Sequence, residues 1–450
     1  MASLMVALDA LVVSTALSTI RLQLHASLAD LEWTVNAYVL SLAVLLMTGA
    51  ALGDRFGRKR LFVIGSAACA LARSVGWLIA ARAVQGAGAA VMMPLALALL
   101  SAAFPPARRA RARGIFGAVT GLGVVLGPLV GGAAVQGISW PWIFWINVPI
   151  GLVGVVLSRR HISESFGPDT ALDLPGLALV TGGAFGIVWA LVRGNSIGWA
   201  SPQTVVALAA GVAALVGFIT WELRAPAPML PMRLFRSRPF SVGNATIFLL
   251  WAAALGSVFF MAQFLQIGLH YDALGTGLRL MPWGAAIFVA APMTGSRISQ
   301  VGERPFLVGG LLLGAAGMGW IALVARPNLA YWQIVAPLVI TGLGMSMTIP
   351  AAQSSVMSHV APQHIGKASG TFTTLRQLGG AFGVAIAVAA FAGAGGYQSA
   401  QAFSDGFGPA IAISAGLALV GAAVGAFAPG MRADSALGPA ETAPGVATRR

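Results

Sequence analysis

Charge is what this chain has least of. Only 9% of its 450 residues are Asp, Glu, Lys or Arg, against about 25% in a typical soluble domain. So few charges cannot cover the surface of the roughly three soluble domains that this length would otherwise suggest. Soluble, disordered and collagen-like classes are excluded on that ground. Acid is scarcer than base, 13 residues against 27. Lysine is nearly missing: Lys59 and Lys367 are the only two. The single cysteine, Cys69, permits no intrachain disulfide and argues against a cysteine-based zinc site. The five histidines fall in loops or at the ends of apolar runs, without metal-ligand spacing. No phosphate-binding loop and no nucleophile–base pattern is present. No metal, no cofactor and no enzyme activity are therefore expected.

What is present is hydrocarbon, 58% of the residues. Breaking the chain at charged and Pro/Gly-rich stretches leaves fourteen apolar runs, from 2–20 to 409–428. A membrane span needs about 20 such residues. In lipid every backbone polar group must be paired internally, and runs this long and uniform favour helices over barrel strands. The expected fold is an all-α integral membrane protein. The N-terminal run lacks a basic flank and contains Asp9, so it reads as the first span rather than a cleaved signal peptide. The third run, 61–76, is short: Leu61 to Ala72 is free of charge, and Trp77 already opens the fourth, 77–100.

The net charge of +14 raises nucleic acid as a partner until the cations are placed. Assigning alternate connections to the two sides puts twenty of the 27 cations on one side and five on the other. The positive-inside rule then puts both termini in the cytoplasm and supports an even number of spans. Trp33, Trp77, Trp140, Trp142, Trp199, Tyr331 and Trp332 cluster toward the opposite side, as an interfacial belt would. The expected partners are the lipid bilayer and a small amphipathic molecule, not nucleic acid. The tail after Pro429 is rich in Ala, Gly and Pro and is expected to be disordered.

An internal repeat follows the second and tenth spans. Ala50 to Arg60 aligns with Gly295 to Arg304, with Gly57 opposite Gly302. Glycine there permits a tight helix-to-helix turn. In the fifth run, Gly123, Gly127 and Gly131 are four apart and form a small-residue stripe that lets another helix approach. Gly132 extends it, and Pro128 removes a backbone hydrogen bond and favours a kink.

Three ionisable residues, Asp9, Arg82 and Arg376, lie inside apolar runs. Asp9 stands about eleven residues, or about 16 Å, from the end of the first run. On this reading it is the one acid within the apolar stretch of any span. Burial in hydrocarbon penalises its charge and a nearby Arg82 would favour it, so a carboxyl held between the two can bind and release a proton. The bland alternative is a neutral acid that merely packs. Arg82 is a functional-site hypothesis, or else an arginine reaching back to the interface near Trp77. Asn36 and Tyr38 line a cavity on one reading, and Tyr38 belongs to the belt on the other. Arg376 and Gln377 place a second buried cation in the thirteenth run.

Several of these motifs resemble those of the major facilitator superfamily. Asp54-Arg55-Phe-Gly57-Arg58-Lys59-Arg60 resembles its signature loop, Arg82-Ala-Val-Gln85-Gly-Ala-Gly its fourth-span motif, and Gly123 to Gly132 its antiporter signature. Leu8-Asp9 to Ser18, Leu31-Glu-Trp33 to Tyr38 and Leu375-Arg376-Gln377 are similar to the fourteen-span drug:proton antiporter branch (EmrB/QacA-like). The resemblance implies two six-helix bundles plus two inserted helices: 1–158, a linker with the inserted pair at 159–238, 239–428, and a tail at 429–450. It implies proton-coupled export of small amphipathic compounds (multidrug efflux, hence antibiotic resistance) by a cell-membrane protein, bacterial and monomeric. Asp9 would carry the proton, Arg82 would tune it, and Asp54 to Arg60 would latch the bundles on the cytoplasmic side. Asn36, Tyr38, Gln85, Arg376 and Gln377 would line the substrate cavity. The short third span supports a second expectation, a transport-inactive paralogue.

Overall fold

The computed structural model describes residues 2–46, 60–103, 123, 126–150, 173–226, 228–230, 232–358, 360–361 and 365–430. Among the described residues all regular structure is helical. The elements are α1 (Ala2–Leu24), α2 (Leu28–Leu45), α3 (Arg60–Ala70), α4 (Val75–Ala103), α5 (126–137) and the short α6 (Trp142–Trp145). Then come α7 (Leu174–Ile197), α8 (Pro202–Glu222), α9 (Arg238–Gln263), α10 (Ala273–Val301), α11 (Arg304–Val324), α12 (Trp332–Met357), α13 (Ile365–Ala394) and α14 (Ala400–Gly425). Nine of the described helices are long and apolar enough to cross a membrane.

Local chemistry sets the helix starts. Ser27 caps α2 by accepting from the Asp30 amide, while the Asp30 carboxylate accepts from the Ser27 amide. This reciprocal pair satisfies two of the orphan donors at a helix start. It also starts α2 five residues before the apolar run beginning at Trp33, so Glu32 lies inside the helix. Asp173, Ser201, Asp272 and Ser399 cap α7, α8, α10 and α14 in the same donor-satisfying way. The turn glycine of the repeat behaves as its alignment requires. Gly302 ends α10 at φ +83, a conformation that side chains with a Cβ rarely adopt, and α11 begins two residues later. Asp54, Arg55, Gly57, Arg58 and Lys59 of the first copy lie outside the described residues, as does the segment 151–172. Arg60 opens α3.

Packing divides the helices into groups. α2, α3 and α4 pack together with α1, and α9 to α14 form a second bundle in which α11 lies on α12 and α14, and α9 on α13. α7 and α8 form an antiparallel hairpin in which Gly183 and Gly186 of one face Gly211 of the other. The hairpin rests on α13 and α2 through α7. Trp33 of α2 meets Phe185 of α7 with ring centroids 5.3 Å apart, so this tryptophan also packs on a helix.

The bundles meet toward the arginine-poor end. Gln136 at the end of α5 donates to Asp272 and accepts from the Leu274 amide at the start of α10. A Cβ added to Gly132 would fall 2.2 Å from the Ala273 carbonyl oxygen, so the glycine is what lets α5 and α10 touch. Gln266 donates to the Thr15 carbonyl of α1, and the Arg21 guanidinium lies 4.1 Å from the Tyr397 ring centroid. Of the two glutamines at the α9 end, Gln263 is buried and Gln266 half-buried. Gln263 also accepts from the Tyr397 hydroxyl, whose phenol burial raises above its ordinary value.

α3 is short, as its sequence implies. Its described part has 11 residues, a rise of about 16 Å against about 30 Å of hydrocarbon. A turn at 71–74 then leads into α4, and the Trp77 indole donates to the Ala68 carbonyl across that turn at 2.9 Å.

A candidate proton and substrate site

Five helical segments converge on one buried carboxylate. Asp9 of α1 has no exposed surface. Its Oδ2 accepts from Arg82 Nη1 at 2.6 Å. Its Oδ1 accepts from Gln85 Nε2 at 2.8 Å and from Asn147 Nδ2 at 3.1 Å. Arg82 and Gln85 share a face of α4 because they are three residues apart. Gln85 also donates to the Ser66 hydroxyl of α3 at 2.9 Å, so the short helix still reaches the site. Arg82 Nε donates to the Thr34 carbonyl of α2, and the guanidinium lies 4.1 Å from the Tyr38 ring centroid.

Arg82 is therefore not an arginine reaching back to the interface. It is 1% exposed and neutralised by Asp9. A charge buried this far needs both an opposite charge and hydrogen bonds for its remaining donors, and here it has both. Tyr38 is likewise no belt residue: it is fully buried beneath the guanidinium, and its hydroxyl has no partner. Asn36 is fully buried too, but it belongs to another cluster, donating to Glu32 at 3.2 Å.

Glu32 corrects the expectation that Asp9 is the one acid within a span. Its side chain is fully buried in α2. Hydropathy hid it, because a run that begins at Trp33 leaves the preceding acid in a presumed loop. The signal that finds it is Ser27 with Asp30, which starts the helix earlier. Asn147 and Ser66 carry no local pattern that marks them, and only the packing of their segments brings them to Asp9 and Gln85.

Other expected residues lie elsewhere. Arg376 of α13 lies over the Trp251 ring of α9 at 5.0 Å, inside the second bundle. Its Nε and the Trp251 indole N–H are buried donors without acceptors. Gln377 is buried on the same helix. Gly131 faces α1, where an added Cβ would meet Thr15 Oγ1 at 2.5 Å, and Gly132 and Pro128 face α10. Gly123 and Gly127 are buried. No group of three metal-ligating side chains occurs among the described residues.

The sequence model of the Major Facilitator Superfamily matches residues 1–384. The chain belongs to this superfamily. It is a multi-pass membrane protein of a family of transporters, not enzymes. The tetracenomycin C resistance and export protein of Streptomyces glaucescens is 35% identical over 393 residues, covering 85% of this chain and 73% of that one. The methylenomycin A resistance protein of Bacillus subtilis is 34% identical, over 85% of this chain and 84% of the other. A solved structure of an auto-inhibited POT family peptide transporter superposes with a TM-score of 0.66 at 16% identity, covering 95% of this chain and 96% of the other. That last likeness is one of fold.

Proposed function

We propose that this superfamily member is a proton-coupled exporter of small amphipathic compounds, a drug efflux antiporter of the fourteen-span branch. The observation that carries the reading is the buried Asp9–Arg82 pair, held by five segments of the first bundle. An ion pair in hydrocarbon is costly and marks a functional path. Protonating Asp9 frees the guanidinium for another acceptor, so the pair can exchange a proton for a change in helix contacts. Asp9 is the proton carrier and Arg82 sets its affinity. The proton gradient supplies the energy, and no cofactor takes part. The protein lies in the cell membrane of a bacterium as a monomer, with the arginine-rich side and both termini cytoplasmic.

The substrate meets the second bundle at Arg376 and Trp251, whose two unpartnered donors suit acceptor oxygens on a flat molecule. Relatives named for resistance to, or export of, tetracenomycin C and methylenomycin A support this substrate class. The α5 glycines serve the face along which the bundles rock, and Asp54 to Arg60 the cytoplasmic latch.

The test is uptake into everted vesicles energised by an acid interior, with tetracenomycin C, methylenomycin A and puromycin as probes. We expect uptake of at least one compound, collapse of that uptake by a protonophore, and its loss in Asp9→Asn. Uptake that ignores both the protonophore and Asp9→Asn sinks the proton-coupled reading. The 11-residue α3 favours a second reading, a transport-inactive paralogue. Absence of uptake for every probe, from protein shown to be inserted, selects it.

A further inference from the structure

Glu32 is a buried acid that the Asp9 site does not use; unlike Glu222, which is also buried but closes α8 and accepts from the Leu230 amide, it lies inside a helix. Its side chain has no exposed surface. One oxygen accepts from Asn36 Nδ2 at 3.2 Å, while Oε2 and the Asn36 carbonyl oxygen have no donor. Asp9 is as buried but differently matched: three side chains donate to it and one of them is a cation. Glu32 makes no ion pair; among the described residues Asp9–Arg82 is the one found.

Among the described residues, the cations on the helices packed against α2 are engaged elsewhere or exposed. Tyr38 points toward Arg82, so Asn36, two positions earlier on the helix, lies about 160° away around it, with Glu32 one turn below Asn36. On α4, Arg82 is bound to Asp9, Gln85 and Thr34. On α1, Arg21 stacks on Tyr397. On α13, Arg376 stacks on Trp251 and Lys367 donates to the Pro228 carbonyl. On α7, Arg193 is exposed. On α2 itself, Asp30 is tied to Ser27 and Tyr38 lies under Arg82. A carboxylate at Glu32 would be a buried charge with neither counterion nor full hydrogen bonding, a state that folded proteins avoid. A proton removes that charge and takes no room.

We infer that Glu32 is a second protonation site, occupied in the state seen here, where α13 and α7 pack against α2. The proton comes from water when α2 parts from its neighbours. It binds the Glu32 carboxylate to give the neutral acid, and it returns to that water when the helices part again. Burial of Glu32 as the helices close therefore takes up one proton, independently of Asp9. The link to a transport cycle rests on the exporter reading; occupancy of the site does not.

Infrared difference spectroscopy of the purified protein in lipid, at neutral pH, tests the inference without any substrate. Subtracting Glu32→Gln from wild type should leave one band in the C=O stretching region of a protonated carboxyl. The same band should remain in Asp9→Asn. Glu32→Gln keeps the acceptor for Asn36 and serves as a near-isosteric control for folding, checked by an unchanged thermal transition. Absence of the band from the difference, or its loss in Asp9→Asn, overturns the inference. Vesicle transport can fail while the band is present, so the two proposals fail separately.

Discussion

At the residue scale, Arg82 has the strictest requirements. Its guanidinium meets Asp9, Gln85, Thr34 and the Tyr38 ring at once, a set of contacts that a lysine cannot reproduce. Removing one partner of a buried pair leaves an uncompensated charge and costs about 3–5 kcal/mol. Arg82→Gln should accordingly lower the thermal transition of the purified protein, and adding Asp9→Asn should recover most of the loss. Purely additive losses in the double variant would show that the two side chains are not energetically paired. The motif that contains Arg82 and Gln85 was legible in the sequence, and so was the depth of Asp9. Their partner Asn147 was not. It lies 138 positions from Asp9, and nothing in its own neighbourhood distinguishes it from any asparagine near a helix start.

At the scale of elements, α5 shows what a glycine pattern can and cannot say. The four-residue spacing announces close packing but not against which helix. The structure divides the roles: Gly131 lies on α1 of its own bundle and Gly132 on α10 of the other. We predict that Gly132→Leu abolishes transport while the protein still inserts, because the side chain would occupy the space of the Ala273 carbonyl. Gly137→Ala, five positions on, with open space around it, should leave transport intact. Equal effects of the two substitutions would mean that helix stability, not the α5–α10 contact, is at stake. α3 makes the complementary point. Its brevity was plain from the positions of Arg73 and Trp77, whereas its contribution of Ser66 to the Asp9 network came only from how α3 lies against α4.

At the scale of the whole molecule, the two bundles are joined by few polar contacts, and Gln136 makes two of them in one place. Gln136→Leu removes both without touching the Asp272 cap of α10, which holds the Gly275 amide. We expect faster hydrogen–deuterium exchange at residues 269–274 and a shift toward the state open at the arginine-poor end. Unchanged exchange there would show that the α5–α10 glycine contact alone closes that end. The α7–α8 hairpin takes part as well, since Asn195 donates to the Ala389 carbonyl of α13. The hairpin is thus fastened to a helix of the second bundle.

The sequence by itself determined that the chain lives in a membrane, that it is helical and which side its cations favour. These follow from sums over many residues: hydropathy, run length and arginine count are additive and need no contacts. It also fixed the motifs, because those are local. What only the tertiary structure decided is which buried polar groups are matched. Asp9 and Glu32 are both acids in apolar surroundings, and no periodicity separates them. Helix packing gave one three donors, a cation among them, and gave the other a single amide. The scarcity of acid directed attention to Asp9, and the fold then made Glu32 a carboxyl inside a span whose charge has no counterpart.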